Sequence, residues 1–536
     1  MFKKRLKQRQ AILERQQNIK DEDFDFESIS LFFSHEDHQD AHQIIDERTL
    51  HDLDFEELFI SLDRTTSCIG QQYLYAKLRV LPRDHSNSQI VEQHIEFLND
   101  HPEEWKEAII DLNALNDRGA YFIQRLFFGD QLPKPKWFWL IPTMSVAVVI
   151  ALLVSIFYSQ AIIFALLLIS INTIIHLWNK NNIMGYSNTI PQLLQLHKVA
   201  ATLNEKGLFF GSKEKVGSAI RALNKIWRAS IFFKWESKAL GEIAQTLEYV
   251  LDLVKGALLI EPLVLFRLLR QIESNKSDIK VLYEAIGQLD MAISVSSWRE
   301  SLPYYCIPEF SNSPTKTWDS EKLYHPLIHQ AVDNDLKLSD QKSILLTGSN
   351  MSGKSTFIRT IGINALLAQT LNTACASTLY LSPFKIYSAI RISDDLFEHT
   401  SYYYQEVKTI KKFADESQLE QHNLFLLDEI FKGTNTVERI ASGKAVLTYL
   451  DDAINLVFCS THDLELIDYL QENYAFYHFE EKIVNDQLTF DYLLKKGSLN
   501  HTNAIRILEI NDFPNQITEE AKGLADELLT MKRRKA

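Results

Sequence analysis

The stretch that most constrains the fold is Thr347–Thr356, TGSNMSGKST, which fits the pattern G-x-x-x-x-G-K-[ST]. It follows the short apolar segment Ser343–Leu346 and precedes the apolar segment Phe357–Leu367, which has the length of a helix. A strand, a glycine loop and a helix form the context in which backbone N–H groups can surround phosphate oxygens. The predicted nucleotide-binding residues are therefore Gly348, Ser349, Asn350, Met351, Ser352, Gly353, Lys354, Ser355 and Thr356.

Two of these residues have predicted roles beyond binding. The Lys354 ammonium would neutralise the β- and γ-phosphates of ATP, and the Ser355 hydroxyl would bind Mg²⁺. A second metal-binding residue is expected at Asp428, because an apolar segment of strand length, 422–427, ends in Asp428 and Glu429. Two carboxylates at the end of a buried strand are costly unless a cation compensates them. We therefore predict that Asp428 binds Mg²⁺ and that Glu429 acts on the attacking water.

A third apolar segment, 456–459, ends in Ser460, Thr461, His462 and Asp463. As the strand that follows the Asp-Glu strand, it would bring His462 to the γ-phosphate or to the attacking water. Lys354, Glu429 and His462 are the predicted catalytic residues. Successive strands with intervening helices indicate an α/β domain with a mostly parallel sheet, whose ligand lies at the carboxyl ends of the strands.

Charge and cysteine content limit the functional classes. The formal net charge of −14 argues against a basic nucleic-acid-binding protein, so any DNA contact would come from a local patch. Residues 1–20 hold seven Lys or Arg and one Glu, whereas residues 21–57 hold fourteen acidic residues and only Arg48. The four cysteines are far apart and lack metal-binding spacing, which indicates ordinary thiols in a reducing compartment.

Residues Trp137–Asn179, 43 in all, contain no Asp, Glu, Lys or Arg. Because a bilayer core of about 30 Å needs roughly 20 apolar residues per helix, this run predicts two spanning helices, near 138–157 and 161–177. Basic residues on both flanks predict an inner (cytoplasmic) membrane protein with both termini in the cytoplasm. An apolar soluble or re-entrant hairpin is the alternative. The remaining segments outside the nucleotide-binding part show helical periodicity and predict an all-α region.

Three segments, TGSNMSGKST, LLDEIFKGTNT and STHD, occur in this order, and together they resemble the ATPase domain of the MutS family of DNA mismatch-repair proteins. Leu62–Gly70 (LDRTTSCIG) is similar to the start of that family's helical core, and Tyr324–Leu327 (YHPL) to the opening of its ATPase domain. Asp394–Glu406 resembles its signature loop, and Gly497–Leu528 its C-terminal helix-turn-helix. The resemblance implies a homodimer that hydrolyses ATP with Mg²⁺, in which Ser401 of one subunit would reach the γ-phosphate bound by the other.

This chain also departs from the family pattern. His399 occupies a position that is usually glycine, two residues before Ser401. About 45 residues precede the helical core, too few for the family's mismatch-reading and connector domains, and Phe55-Glu56-Glu57 is interpreted as a chance match to the Phe-x-Glu wedge. Mismatch recognition is therefore not expected.

These observations predict a membrane-anchored MutS-like ATPase. Its expected partners are a second copy, the bilayer through residues 138–177, and DNA bound without mismatch specificity. One alternative is a membrane ATPase that acts on proteins without DNA. A weaker alternative is an ABC-type transporter, which would need more spanning helices and a Leu-Ser-Gly-Gly-Gln-like signature. The predicted organisation is an N-terminal tail (1–45), a helical core (46–133), a transmembrane hairpin (134–180), further helical core (181–316), a P-loop ATPase domain (317–496) and a C-terminal helix-turn-helix (497–536).

Overall fold

The structure is a computed structural model. It describes every residue except 1, 84–85, 130–131, 185, 187–188, 235–253, 339, 350, 392–401, 485–486, 499–503, 512 and 536. The chain forms two compact units. The first comprises residues 1–39, 62–79 and 84–300, and the second comprises residues 40–61, 80–83 and 301–536.

The helices described in the two units are α1 (Phe2–Gln17), α2 (Phe26–His35), α3 (Glu47–Asp52), α4 (Phe55–Leu62), α5 (Cys68–Arg79), α6 (Ser86–Asp100), α7 (Pro102–Leu112), α8 (Arg125–Phe128), α9 (Leu140–Ser155), α10 (Ala161–Met184), α11 (Thr189–Glu205), α12 (Lys213–Lys234), α13 (Ile260–Ser274), α14 (Lys276–Ser301), α15 (Lys354–Leu371), α16 (Tyr402–Glu416), α17 (Thr436–Leu450), α18 (Glu465–Leu470), α19 (Ala504–Ile510) and α20 (Asn515–Lys535). Short 3₁₀ helices lie at Asn113–Leu115 and Arg118–Phe122.

The strands are β1 (Gln43–Ile44), β2 (Val80–Leu81), β3 (Glu309–Phe310), β4 (Trp318–Leu323), β5 (Asn334–Lys337), β6 (Ser343–Thr347), β7 (Thr378–Leu381), β8 (Lys385–Ala389), β9 (Asn423–Asp428), β10 (Leu456–Ser460), β11 (Tyr474–His478), β12 (Glu481–Val484), β13 (Gln487–Phe490) and β14 (Lys495–Lys496). All of these strands belong to the second unit.

The first unit is helical in its described residues, and the Leu62–Gly70 motif builds its core. Asp290 on α14 is completely buried, and its carboxylate accepts hydrogen bonds from the backbone N–H groups of Thr66 (2.9 Å) and Ser67 (2.8 Å). These two residues immediately precede α5, so Asp290 satisfies two buried backbone N–H groups at the entry to this helix. Gly70 packs so closely against this carboxylate that a Cβ atom would lie 2.2 Å from Asp290 Oδ2. The motif therefore fixes the start of α5 against α14.

The apolar helices α9 and α10 form an antiparallel hairpin. Small and aliphatic side chains fill their contact, among them Val148, Ala151, Ala165 and Leu168. The opposite faces are exposed and apolar: Ile150, Leu153, Ile163 and Phe164 are each more than half exposed, as are Ile156, Phe157, Tyr158, Leu166, Leu167, Ile174 and Leu177. Exposed apolar surface of this extent is unusual for a surface that faces only water.

One helix of this hairpin satisfies the length and composition of a membrane span. Ala161–Trp178 has a mean hydropathy of 2.2, and among the described residues it is the single 18-residue window that qualifies. The 16 residues of α9 extend only about 24 Å at 1.5 Å per residue, less than the hydrocarbon core of about 30 Å. The predicted pair of spanning helices is therefore not supported: among the described helices, α10 alone has the length and composition of a span, and α9 is too short.

The second unit is built around a six-stranded sheet in the order β14-β11-β6-β10-β9-β8. All neighbouring pairs from β11 to β8 are parallel, and only β14 at the far edge runs antiparallel. The central strands β6, β9 and β10 consist almost entirely of buried apolar residues, as parallel strands covered on both faces require. This sheet matches the predicted α/β class. A smaller four-stranded sheet, β3-β7-β4-β5, lies in the same unit.

Residues 40–61 are part of the unit that contains the large sheet. They belong to the same compact unit as residues 301–536, although the sequence assigned most of them to the helical core. Gln43 and Asp52 in this segment hydrogen-bond to Ile386 and Ser388 of β8 in the large sheet, which explains the grouping.

Candidate functional site

The loop between β6 and α15 has the backbone conformation that its glycines predict. Gly348 has φ +144° and Gly353 has φ +104°, values that side chains with a Cβ rarely adopt. A Cβ at position 348 would also lie 2.7 Å from Ser352 Oγ and 2.8 Å from the Phe479 carbonyl oxygen. Because α15 begins at Lys354, the loop leads directly into the N-terminus of an 18-residue helix. Such a helix start presents unpaired N–H groups and a partial positive charge to an anion.

Lys354 is buried and held inside this loop. Its ammonium donates hydrogen bonds to the carbonyl oxygens of Gly348 (2.8 Å) and Ser349 (2.7 Å). Burial lowers the pKa of Lys354 to about 8, and the nearby carboxylates of Asp428 and Glu429 only partly oppose this effect. A cation that is held in a position where water solvates it poorly is well suited to pair with phosphate oxygens.

Ser355, Asp428 and Ser460 bring three oxygen-bearing side chains together at the carboxyl ends of β9 and β10. The Ser355 hydroxyl donates to Asp428 Oδ2 (2.6 Å), and the Ser460 hydroxyl donates to Asp428 Oδ1. Among the described residues, no group of three or more His, Cys, Asp or Glu side chains could hold a metal. A magnesium ion here would thus have one carboxylate and one hydroxyl from the protein, which fits a Mg²⁺ that takes its other ligands from phosphate and water.

Glu429 lies beside Asp428 and contacts two cationic or polarisable groups. Its Oε1 lies 3.0 Å from His462 Nε2, and its Oε2 lies 3.1 Å from Lys432 Nζ. The hydrogen bond to His462, and next the contacts with Lys432, lower the pKa of Glu429 to about 2 against the opposing effect of burial. Glu429 also adopts φ +55°, a left-handed conformation that costs a non-glycine residue of the order of 1–3 kcal/mol and recurs at functional sites.

Glu406 on α16 hydrogen-bonds to the turn that follows Glu429. The buried Glu406 carboxylate accepts a hydrogen bond from the backbone N–H of Phe431, which itself has φ +60°. Burial raises the pKa of Glu406. The following loop ends at Asn435, whose side chain accepts from the Glu438 N–H (3.1 Å) and caps α17. The segment after the Asp-Glu pair is thus fixed at both ends.

A cavity of about 560 Å³ opens beside the loop, within the size range of small-ligand sites. Its floor is formed by Gly353, Ser355 and Thr356, and its walls are mostly apolar or aromatic. His325 on this wall is buried, and burial lowers its pKa to about 4, so the ring is neutral near pH 7. The other lining residues are Leu323, Tyr324, Ile328, His329, Gln330, Ala331, Val332, Asn334, Met351, Phe357, Thr360, Phe479 and Tyr492.

The structure brings together most of the side chains that the sequence singled out. Lys354, Ser355, Asp428, Glu429 and His462 all lie at the carboxyl ends of β6, β9 and β10. Asn350 and Ser401 lie outside the described residues, as do Asp394 and His399, so the predicted trans-acting role of Ser401 stays a prediction.

Sequence reasoning did not predict the contact of Lys432 with Glu429, the hydrogen bond from Ser460 to Asp428, or the cavity wall. Lys432 lies three residues after Glu429, so a search for cations next to the Asp-Glu pair could have found it. The wall formed by His325 and Tyr492 joins residues 167 positions apart, and no local pattern signals such a pairing.

Comparison with known proteins adds an independent observation. Residues 344–529 match the family model of MutS domain V. The DNA mismatch repair protein MutS of Staphylococcus carnosus is 25% identical over 296 residues, which cover 53% of this chain and 34% of that protein. The corresponding protein of Macrococcus caseolyticus is 30% identical over 226 residues, covering 40% and 26% of the two chains.

A human relative, MutS protein homolog 4, is 27% identical over 282 residues, covering 50% of this chain and 29% of that protein. The matched region therefore spans about a third or less of the length of these curated relatives. The family model and the relatives together support a relationship of this chain to the MutS family, and residues 344–529 are its MutS domain V-like part.

Proposed function

We propose that this protein is a MutS-like, Mg²⁺-dependent ATPase. The observation that carries the proposal is the convergence of Lys354, Ser355, Asp428, Glu429 and His462 on one glycine loop. MutS-family proteins are ATPases, which agrees with this arrangement. The cavity beside Thr356 would take the nucleoside part of ATP, and neutral His325 would contact the base without a charge penalty.

Different residues of the site would bind the phosphates, bind Mg²⁺ and orient the attacking water. The loop N–H groups and Lys354 bind the phosphates, while Ser355 and Asp428 would hold Mg²⁺, which supplies neutralisation of the β- and γ-phosphate charge. His462 and Lys432 hold Glu429 in one orientation. A carboxylate with a pKa of about 2 is a weak base, so Glu429 would act mainly by accepting a hydrogen bond from the attacking water and orienting it.

The test of this proposal is ATP hydrolysis by the purified full-length protein with Mg²⁺. Lys354→Ala should abolish nucleotide binding or turnover, and Val437→Ala, an exposed residue in the first turn of α17, serves as a matched control. Hydrolysis by the Lys354→Ala protein at the wild-type rate would reject the proposed site.

The second part of the proposal is that the α9–α10 hairpin attaches the protein to a membrane. Aromatic residues lie at both of its ends, with Trp137 and Trp178 in contact (5.1 Å between ring centroids) at one end and Phe157 and Tyr158 exposed at the other. Trp and Tyr favour such positions at membrane interfaces. The buried Asn172 side chain on α10 donates a hydrogen bond through Nδ2 to the Ala257 carbonyl (2.7 Å).

Removal of residues 137–179 tests this attachment. The full-length protein should sediment with membranes and resist extraction by high salt, and the deleted protein should remain in the soluble fraction with its ATPase activity intact. A deleted protein that still sediments with membranes would contradict the role of the hairpin.

The third part of the proposal is an action on DNA in a homodimer, through contacts to the phosphate backbone that ignore mismatches. The names of the relatives, DNA mismatch repair protein MutS, support DNA as a partner, while the net charge of −14 favours the alternative of a protein partner. Backbone binding to DNA weakens steeply as salt rises. A salt titration of duplex and branched DNA binding distinguishes the two, because an absence of binding at low salt eliminates DNA.

A further inference from the structure

At the β8 edge of the six-stranded sheet, side chains make the hydrogen bonds that a neighbouring strand would make. Among the described residues, β8 is the last strand of the sheet and its one paired neighbour is β9. The Ile386 N–H donates to Gln43 Oε1 (2.7 Å), and Gln43 Nε2 donates to the Ile386 carbonyl (2.8 Å). Further along the same edge, the Ser388 N–H donates to Thr49 Oγ1 (3.3 Å). Residues 43–52 thus occupy the positions that a neighbouring strand would have taken.

Asp52 completes this edge at the end of β8 nearest the nucleotide site. Its carboxylate is completely buried and accepts hydrogen bonds from the N–H groups of Ile390 and Arg391 (each 2.8 Å) and from the Ser388 hydroxyl (2.7 Å). Hydrogen bonds to an ionised group are short and roughly twice as strong as neutral ones. Asp52 therefore holds the chain rigidly just beyond the point where β8 ends.

Asp54 connects the same turn to the helix of the phosphate loop. Its carboxylate lies 2.6 Å from Arg391 Nη1 and 3.7 Å from Arg359 Nη1. Arg359 follows Ser355 by four residues on α15, so the two side chains lie one above the other on the same face of the helix. Asp54 has φ +51°, a left-handed conformation that aspartate adopts more readily than most residues with a Cβ.

A third set of contacts ties the same segment to α16. Lys412 donates to Asp46 (2.7 Å), and Arg48 donates to the Thr409 hydroxyl. Glu406 lies one turn before Thr409 on α16 and accepts a hydrogen bond from the Phe431 N–H, two residues after Glu429. The segment therefore contacts three elements near the site. These are α15, which carries Ser355, β8, which pairs with the strand that ends in Asp428, and α16, which carries Glu406.

We propose that Asp52 and Asp54 are positioning residues for ATP hydrolysis. Neither residue touches the nucleotide site. Asp52 holds Ile390 and Arg391 at the end of β8, next to strand β9, which ends in Asp428. Asp54 contacts Arg391 and Arg359, and Arg359 lies on the same helix as Ser355. Small displacements of such supporting groups lower turnover, because catalysis depends on the geometry of the reacting groups. This inference rests on the ATPase function proposed above.

The experiment compares Asp52→Asn and Asp54→Asn with Gln43→Ala in the full-length protein. Gln43→Ala is the matched control, because it removes two hydrogen bonds from the same strand edge at Ile386, the end far from the site. For each protein we would measure kcat, the dissociation constant of ATP with Mg²⁺, and Tm. The two aspartate variants should lose about 10–100-fold in kcat with ATP affinity within about threefold of wild type. Gln43→Ala should lower Tm but keep kcat within about twofold.

Two further variants keep the outcome informative. Asp54→Glu preserves the charge and should recover part of the lost kcat, and Ser388→Ala removes a single hydrogen bond from Asp52 if Asp52→Asn does not fold. The proposal is overturned if the aspartate variants keep wild-type kcat, or if Gln43→Ala lowers kcat as much as they do. A wild-type protein that does not hydrolyse ATP would instead reject the proposed function itself.

Discussion

Substitution of Gly70 by alanine should destabilise the helical unit severely. The added Cβ would lie 2.2 Å from Asp290 Oδ2, 2.5 Å from its Cγ and 2.6 Å from its Cβ, closer than atoms can approach. Because Gly70 and Asp290 both lie in helices, the Asp290 side chain must swing away, and its hydrogen bonds to Thr66 and Ser67 would break. Overpacking alone costs about 1–3 kcal/mol. Each lost hydrogen bond to a buried charged group adds about 1.5–3 kcal/mol.

The total for two backbone hydrogen bonds and the clash is then roughly 4–9 kcal/mol, a large share of the 5–15 kcal/mol by which domains are stable. Urea denaturation followed by tryptophan fluorescence measures it, since Trp298 is buried on the same helix as Asp290. Gly217→Ala is the matched control. It is also a helical glycine of this unit, but its added Cβ finds its nearest neighbour at 3.6 Å, so the change should stabilise by about 0.5–1 kcal/mol. Equal midpoints for the two variants would refute the packing argument.

Four other predictions concern the nucleotide-binding unit. ATP affinity should fall as pH rises through about 8, because Lys354 then loses its proton in the free protein, and calorimetry in two buffers near pH 8 should detect proton uptake on binding. A flat affinity from pH 7 to 9 would contradict the lowered pKa. Glu429→Gln should bind ATP normally and lose about 10²–10⁴-fold in hydrolysis, measured in a single turnover. Chelation of Mg²⁺ with EDTA, or the change Asp428→Asn, should suppress hydrolysis, and activity that survives both would exclude Asp428 as a metal ligand. Gly362→Ala should cost about 1–3 kcal/mol, since its Cβ would lie 2.5 Å from Leu426 Cδ1 and 2.6 Å from Leu53 Cδ2, whereas Gly443→Ala, with 3.4 Å of clearance, should cost less in the same denaturation assay.

The parts of the site that the sequence predicts are those encoded within about ten residues. The phosphate loop needs its glycines, lysine and serine at fixed spacing between a strand and a helix, and the structure has β6, Gly348, Gly353 and α15 in that order. The same holds for Asp428 and Glu429 at the end of β9. Local backbone geometry produces these features, so a single sequence suffices.

The supporting contacts are not encoded in this way. Gln43 and Ile386 are 343 residues apart, and Asp52 and Ile390 are 338 apart, so no local pattern relates them. The sequence of residues 46–61 shows helical periodicity and acidic charge, and these features predict part of a helical core without indicating a distant strand as partner. In the structure, the Asp52 carboxylate accepts a hydrogen bond from the Ile390 N–H, and the Asp54 carboxylate pairs with Arg391. An acidic residue in a charged, helix-like segment, such as Asp52, can thus be the buried partner of a distant strand.

The register of the sheet explains how motifs from separate parts of the chain meet at one site. Ser460 on β10 pairs with Asp428 on β9 and with Leu346 on β6, so all three strands end at the same height. In parallel strands a shift by one residue would turn Asp428 to the opposite face of the sheet and separate it from Ser355. The buried apolar residues of β6, β9 and β10 on both faces oppose such a shift only weakly, because either register buries them. The polar pairs at the strand ends, Ser355–Asp428 and Ser460–Asp428, distinguish the two registers, and the nucleotide site thereby helps to specify the sheet that supports it.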